Sequence, residues 1–162
     1  MSSFHSLRVS NIDKLTSKAV IVSFEIPPTL MGDFNFMAGQ YISLQTQIAG
    51  SQVRRSYSIC SVPQSGVLQV GIKQVPEGVF STYATQQLAV GDFLEVSVPE
   101  GRFTLAPELN ESTIVGIAAG SGITPIMSLL KSTLSKVEDT QFVLLYGNKS
   151  PEEAMFYEEL KS

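Results

Sequence analysis

The stretch STIVGIAAGSGITP, residues 112–125, is where the chain changes its grammar. Ser112 to Gly120 is almost continuously apolar, which fits a strand buried on both faces, as in parallel sheets. Gly120 and Gly122 permit a tight turn and close backbone approach. Thr124 then reads as a helix N-cap and Pro125 as the first helical residue. Ile123, Ile126, Met127, Leu130 and Leu134 would share one helix face. Further on, QFVLLYG (141–147) reads as a second buried strand. SPEEAMFYEELKS (150–162) reads as a second helix, with Ser150 as N-cap, Pro151 first and acids in the first turn. Strand–helix–strand–helix is the opening of an α/β doubly wound nucleotide-binding domain. Such domains usually have roughly five or six strands and this stretch offers two, so 108–162 reads as the N-terminal part of one, and the chain as a fragment.

Upstream the pattern is different. Val20, Val22, Phe24 and Ile26 alternate with Ile21, Ser23 and Glu25, and Pro27-Pro28 stops the run. GQYISLQTQI (39–48) and VRRSYSI (53–59) flank the turn AGSQ, and VLQVGIKQV (67–75) and DFLEVSV (92–98) follow. Five or six short strands at close spacing predict a small antiparallel β-barrel over residues 1–107. One helix interrupts it, with Phe80, Tyr83, Ala84, Gln87 and Leu88 at helical spacing after Gly78. The switch between the two grammars falls near residues 105–112.

Composition narrows the function. The 162 residues carry a formal net charge of −4, which disfavours a nucleic-acid partner. The single cysteine, Cys60, excludes an internal disulfide and an iron–sulfur cluster held by this chain alone, and fits a cytoplasmic protein. No run approaches the roughly 20 apolar residues of a membrane helix, and the first residues show no signal-peptide pattern. The one histidine, His5, lies in what reads as the first strand, so it makes a poor triad member.

Three segments offer chemistry. The 120–125 turn presents helix N-terminal amides that favour an anion, though a plain strand-to-helix turn reads equally well. It lacks the third glycine of a dinucleotide fingerprint, Pro125 standing there instead. In EGVFSTYA (77–84), Ser81 could cap the helix after Gly78, making a second anion site or merely an ordinary helix start. In RRSYS (54–58), Arg55 and Tyr57 share one strand face and Arg54, Ser56 and Ser58 the other. A planar guanidinium, an aromatic face and a hydroxyl suit a ligand with a ring system and a phosphate, and a solvated face with an Arg–Glu pair is the alternative.

Taken together these segments resemble the ferredoxin–NADP⁺ reductase superfamily. Arg55-Ser56-Tyr57-Ser58 is similar to its R-x-Y-S flavin motif and GVFS (78–81) to its G-x-x-S motif. VPEGRFTL (98–105) resembles the P-x-G-x-F stretch that closes its barrel. GSGITP (120–125) resembles its nicotinamide-side loop, and LLYGNKS (144–150) its Y-G-x-[RK]-[ST] strand end. The five matches come in family order and span nearly the whole chain. A narrower likeness is to the reductase components of multicomponent oxygenases, that of the phenylacetyl-CoA epoxidase system among them, which implies a part in phenylacetate degradation.

The resemblance implies an FAD-dependent NAD(P)H oxidoreductase. NAD(P)H is the substrate, and an iron–sulfur or oxygenase protein accepts the electrons. Arg55 would bind the FAD pyrophosphate and Tyr57 pack on the flavin ring. Ser58, the expected catalytic residue, would hydrogen-bond near N5, the atom that accepts hydride. Ile72 and Lys73 would touch the flavin. Gly78, Val79, Phe80 and Ser81 would cradle the pyrophosphate, and Gly120, Gly122, Thr124 and Pro125 the nicotinamide and its phosphates. Tyr146, Asn148 and Lys149 would lie near the adenosine end, and Arg54 in solvent. The family's C-terminal C-G-P segment and last strands do not occur, so such a chain would bind FAD yet hold NAD(P)H poorly. A non-enzymatic flavin-barrel docking module is the alternative function. Pairing of two copies through an open sheet edge is a further expectation.

Overall fold

A computed structural model describes residues 3–63, 65–106, 113–136 and 140–161. The expected switch near 105–112 falls largely outside them. The first half is a six-stranded, wholly antiparallel sheet: β1 Phe4–Thr16, β2 Ala19–Glu25, β3 Tyr41–Ile48, β4 Ser51–Ser58, β5 Leu68–Lys73 and β6 Phe93–Ser97. The order is β4-β3-β6-β1-β2-β5. An antiparallel bridge between Ile59 and Val70 brings the two outer strands together, so the sheet rolls into a barrel. Alternation does the folding work. Leu7, Val9, Val22, Ile42, Leu44, Val70, Ile72, Leu94 and Val96 are all fully buried on the inner face. The β3–β4 register pairs Ile48 with Ser51, so Ala49 and Gly50 form a two-residue hairpin turn with φ of 48° and 78°.

Helix α1, Val79–Gln86, lies against the barrel and buries Phe80 and Ala84 in its core. Leu88, grouped with this helix by its spacing, falls just past the C-cap Gln87 but is still buried.

The second half is a two-stranded parallel sheet, β7 Thr113–Ala119 and β8 Gln141–Gly147, with helix α2, Ile123–Lys136, between them. Burial on both faces is corrected here. Gly116 and Ala118 are buried, with Phe142, Leu144 and Tyr146 partly so. On the other face, Ile117 is 73% and Val115 58% exposed, with Val143 and Leu145 alongside. A continuous apolar run tells that a strand can be covered twice; α2 covers one side only. Leu134 is likewise exposed, and the buried face of α2 runs instead through Ile123, Ile126, Met127, Leu129 and Thr133. The predicted second helix is broken. A 3₁₀ turn, Pro151–Glu153, is followed by extended Ala154 and by Phe156 at φ 61°, before a short α3, Tyr157–Lys161.

The two halves share a core. Ala19 and Cys60 from the barrel pack with Ala118, Ile123, Met127, Met155 and Phe156. Across this joint the Ser128 hydroxyl donates to the Ser61 carbonyl at 2.6 Å. Gly71 of β5 is a point of close approach in this joint. A Cβ there would lie 2.6 Å from Thr124 Cγ2 and 2.9 Å from Met155 Cε. Among the described residues no helix is long and apolar enough to cross a membrane.

Candidate functional site

The joint leaves a cleft of about 360 Å³ between the barrel and the start of α2. Strand β4 supplies its first wall. In register, Arg55 stands opposite Leu44 and Tyr57 opposite Ile42, on the side facing the barrel interior. Near the strand's end both side chains reach the opening beside α1, where the Tyr57 and Phe80 ring centres are 5.7 Å apart. Burial pushes the Tyr57 hydroxyl up to about 12, against the pull of the Arg55 cation, so the phenol is neutral at pH 7. Arg55 donates through Nη1 to the Arg54 carbonyl at 2.7 Å. It makes no ion pair among the described residues, so the Arg–Glu alternative finds no support. An uncompensated guanidinium at the mouth of a cleft is chemically suited to an anion.

Arg54 is exposed, as expected, but it is not without contacts. Its guanidinium lies 4.6 Å over the Phe4 ring and reaches the Ser43 hydroxyl at 3.4 Å. Ser43 in turn bonds Ser56 at 2.9 Å. One arginine of the pair thus braces the outer face of the barrel and the other opens on the cleft, because adjacent strand residues point opposite ways.

The second wall is the start of α1. Gly78 is the N-cap, in extended conformation, and no side chain caps the helix. The capping role expected of Ser81 is corrected. Ser81 is the third helical residue; its hydroxyl donates to Gly78 O and accepts from Val75 N–H, each at 3.2 Å. This stitches the 75–78 loop to the helix and leaves the first amides of α1 toward the cleft. Gly78, Phe80 and Ser81 line it. Val79 is half-exposed outside the lining, and Ile72 is fully buried in the barrel core, away from the cleft.

The third wall comes from the second half. A 3₁₀ turn, Gly120–Gly122, precedes α2, so Thr124 and Pro125 are its second and third residues and Thr124 is not an N-cap. Instead, Thr124 Oγ1 donates to Ser121 O at 3.0 Å. Ser121, Gly122, Thr124 and Pro125 all line the cleft. Gly120, left-handed at φ 51°, sets the turn from behind. Lys73 crosses the floor. Its Nζ donates to Glu153 O at 3.0 Å and lies 3.7 Å from the Glu153 carboxylate, tying β5 to the second half.

Ten of the thirteen residues expected to hold the flavin or the nicotinamide and its phosphates, all but Ile72, Val79 and Gly120, therefore meet in one cleft drawn from three distant segments, whereas Tyr146, Asn148 and Lys149 are not in its lining. A family model described as an oxidoreductase FAD-binding domain matches residues 6–105. The chain belongs to this family of FAD-binding oxidoreductases. An oxidoreductase NAD-binding domain model matches residues 117–162. The chain is 37% identical over 161 residues to a component of the 1,2-phenylacetyl-CoA epoxidase of Escherichia coli, covering 99% of this chain and 45% of that protein. It is 33% identical to the ferredoxin reductase component of a 3-ketosteroid-9-alpha-monooxygenase from Rhodococcus rhodochrous, covering 96% and 44%. Among solved structures, phthalate dioxygenase reductase superposes with a TM-score of 0.82 at 26% identity, covering 99% of this chain and 48% of that one. The chain thus spans about half the length of the relatives it matches.

The cleft fits the FAD of this family on its own chemistry: an unpaired guanidinium, uncapped helix amides and a flat ring lie around one opening. Four lining residues had no role in the sequence reading: Ser56, Gly71, Val75 and Ser121. Lys73, expected only to touch the flavin, is also a strut to Glu153. An isolated glycine inside a strand, such as Gly71, is a signal of close backbone approach; the other three leave no pattern. Tyr146, expected near the adenosine end, donates its hydroxyl to Gly120 O at 3.0 Å.

Proposed function

We propose that the chain carries the flavin site and the first part of the nucleotide site of an FAD-dependent NAD(P)H oxidoreductase, a reductase component that passes electrons to an iron–sulfur or oxygenase protein. The observation that carries the reading is the convergence of Arg55, Tyr57 and Ser58 from β4, Gly78 and Ser81 from α1, and Gly122 and Thr124 from the second half on one cleft. Residues 1–107 would form the FAD unit and 108–162 the opening of the NAD(P) unit.

Bound FAD would supply the exchange between a two-electron donor and a one-electron acceptor. The protein's part is to bind and orient. Arg55 and the first amides of α1 would take the pyrophosphate, the charge that this cationic opening lacks. The neutral Tyr57 ring would pack on the flavin and exclude water. Ser58, at the strand end, would hold a hydroxyl donor toward the reactive edge. The turn before α2 would present its amides to the dinucleotide. The relatives named above favour an oxygenase as the electron acceptor, and an epoxidase of the phenylacetate pathway is the specific candidate. A cytoplasmic setting agrees with a single, free and buried thiol.

The test is the visible spectrum of the FAD-supplemented and desalted protein, before and after anaerobic NADH or NADPH in excess. Flavin bands that survive desalting are expected, bleached only slowly and by a large excess of nucleotide, because the chain carries only the first part of that site. Absent bands overturn the reading and leave a docking module. Bands that neither nucleotide bleaches at any concentration overturn its reductase half.

A further inference from the structure

We propose that Tyr146 is a positioning residue whose hydroxyl clasps the Gly120–Gly122 turn in the form that receives the dinucleotide. The inference rests on the nucleotide reading above. The turn's first two carbonyls are both drawn back into the protein. Gly120 O accepts the Tyr146 hydroxyl at 3.0 Å as well as the Ile123 amide, and Ser121 O accepts Thr124 Oγ1 at 3.0 Å. An approaching phosphate is repelled by carbonyl oxygens and bound by amides, so this inward pull sets which groups of the turn face the cleft.

The Ile123 and Thr124 contacts are local to the turn; among the side-chain hydrogen bonds of the described residues, that of Tyr146 is the one that reaches it from another strand. The Asn148 side chain and the Met155 backbone lie near enough to the Tyr146 hydroxyl to oppose the upward push of burial on its pKa. Met155 is the residue whose methyl closes on Gly71 of β5, the strand that carries Lys73 into the cleft. Tyr146 therefore stands between the turn and a residue packed on the flavin-side strand. The Tyr146 ring packs beside the second core, and only its oxygen serves the turn.

The test uses the FAD-loaded chain. Tyr146→Phe keeps the ring and removes the hydroxyl. Amide exchange at residues 121–123 should quicken by about fivefold, as expected for one lost hydrogen bond. The nucleotide dissociation constant, read by titration with NADP⁺ and NAD⁺, should rise by a similar factor while FAD affinity stays within about twofold. Asn148→Ala removes a polar neighbour of the hydroxyl but not its bond to Gly120, and should leave exchange at the turn unchanged. Unchanged exchange in Tyr146→Phe overturns the clasp. Faster exchange with unchanged nucleotide affinity, or with an equal loss of FAD affinity, overturns its positioning role. Fast exchange of the Ile123 amide in the wild-type protein overturns the clasp without any variant. A wild-type protein that binds neither nucleotide instead refutes the reading of the nucleotide site, and exchange then judges the clasp alone.

Discussion

The two adjacent arginines should separate cleanly when each is replaced by alanine. Among the described residues Arg55 hydrogen-bonds to the backbone of Arg54 and has no ion-pair partner, so the fold loses little without it. Its removal should change unfolding free energy by no more than about 0.5 kcal/mol. For a bound pyrophosphate the loss is larger. A hydrogen bond involving a charged partner contributes roughly 1.5–3 kcal/mol, so FAD affinity should fall about ten- to hundred-fold. Arg54 lies 4.6 Å over Phe4 and reaches Ser43 on the opposite face. Arg54→Ala should cost about 0.5–1 kcal/mol of stability, the usual size of an exposed cation–π contact, and leave FAD affinity nearly unchanged. Urea unfolding and the quenching of FAD fluorescence on binding read the two quantities independently. Equal losses of FAD affinity from the two variants would defeat the assignment of Arg55 and the face argument behind it.

Two further outcomes follow from the joint between the halves. Gly71→Ala places a methyl 2.6 Å from Thr124 Cγ2, a β-branched stub on a helix that cannot swing away, so overpacking should cost about 1–3 kcal/mol in urea unfolding; a loss below about 0.5 kcal/mol would mean that the halves slide freely. Burial pushes the Cys60 thiol up to about 12 from an ordinary 9.0, so native protein should resist iodoacetamide near pH 8. The unfolded chain releases this proton near pH 9 and the folded chain only near 12. The folded state thus binds more protons between those values, and stability should fall as pH rises through that window. Cys60→Ala should flatten this decline, and an equal slope in both proteins would refute the thiol as its source.

Much of the barrel was legible along the chain. Alternating Val, Ile and Leu can bury one face only if paired in register, and Pro27-Pro28 and Ala49-Gly50 mark where strands must end. The site residues were legible where a functional side chain breaks the local pattern, as Arg55 and Tyr57 do on a face otherwise lined by Ile42 and Leu44. Local patterns misled wherever the answer lay across the fold. Ser81 and Thr124 read as caps, yet their hydroxyls turn to nearby loop backbone because the loops before them fold back within reach. The apolar runs of β7 and β8 promise two covered faces, and one helix covers one. Ser150 and Pro151 announce a helix that Phe156, at φ 61°, breaks so that Met155 and Phe156 can pack against Gly71 and Cys60.

What the sequence determined by itself was the order of elements, the family motifs and the identity of the charges, because periodicity and turn chemistry act over a few residues. Only the tertiary structure decided that Arg54 braces while Arg55 opens on the cleft, that Lys73 ties to Glu153, and that Tyr146 reaches Gly120. Each of these depends on a distance between segments far apart in the chain, and such distances are set by how the two cores pack.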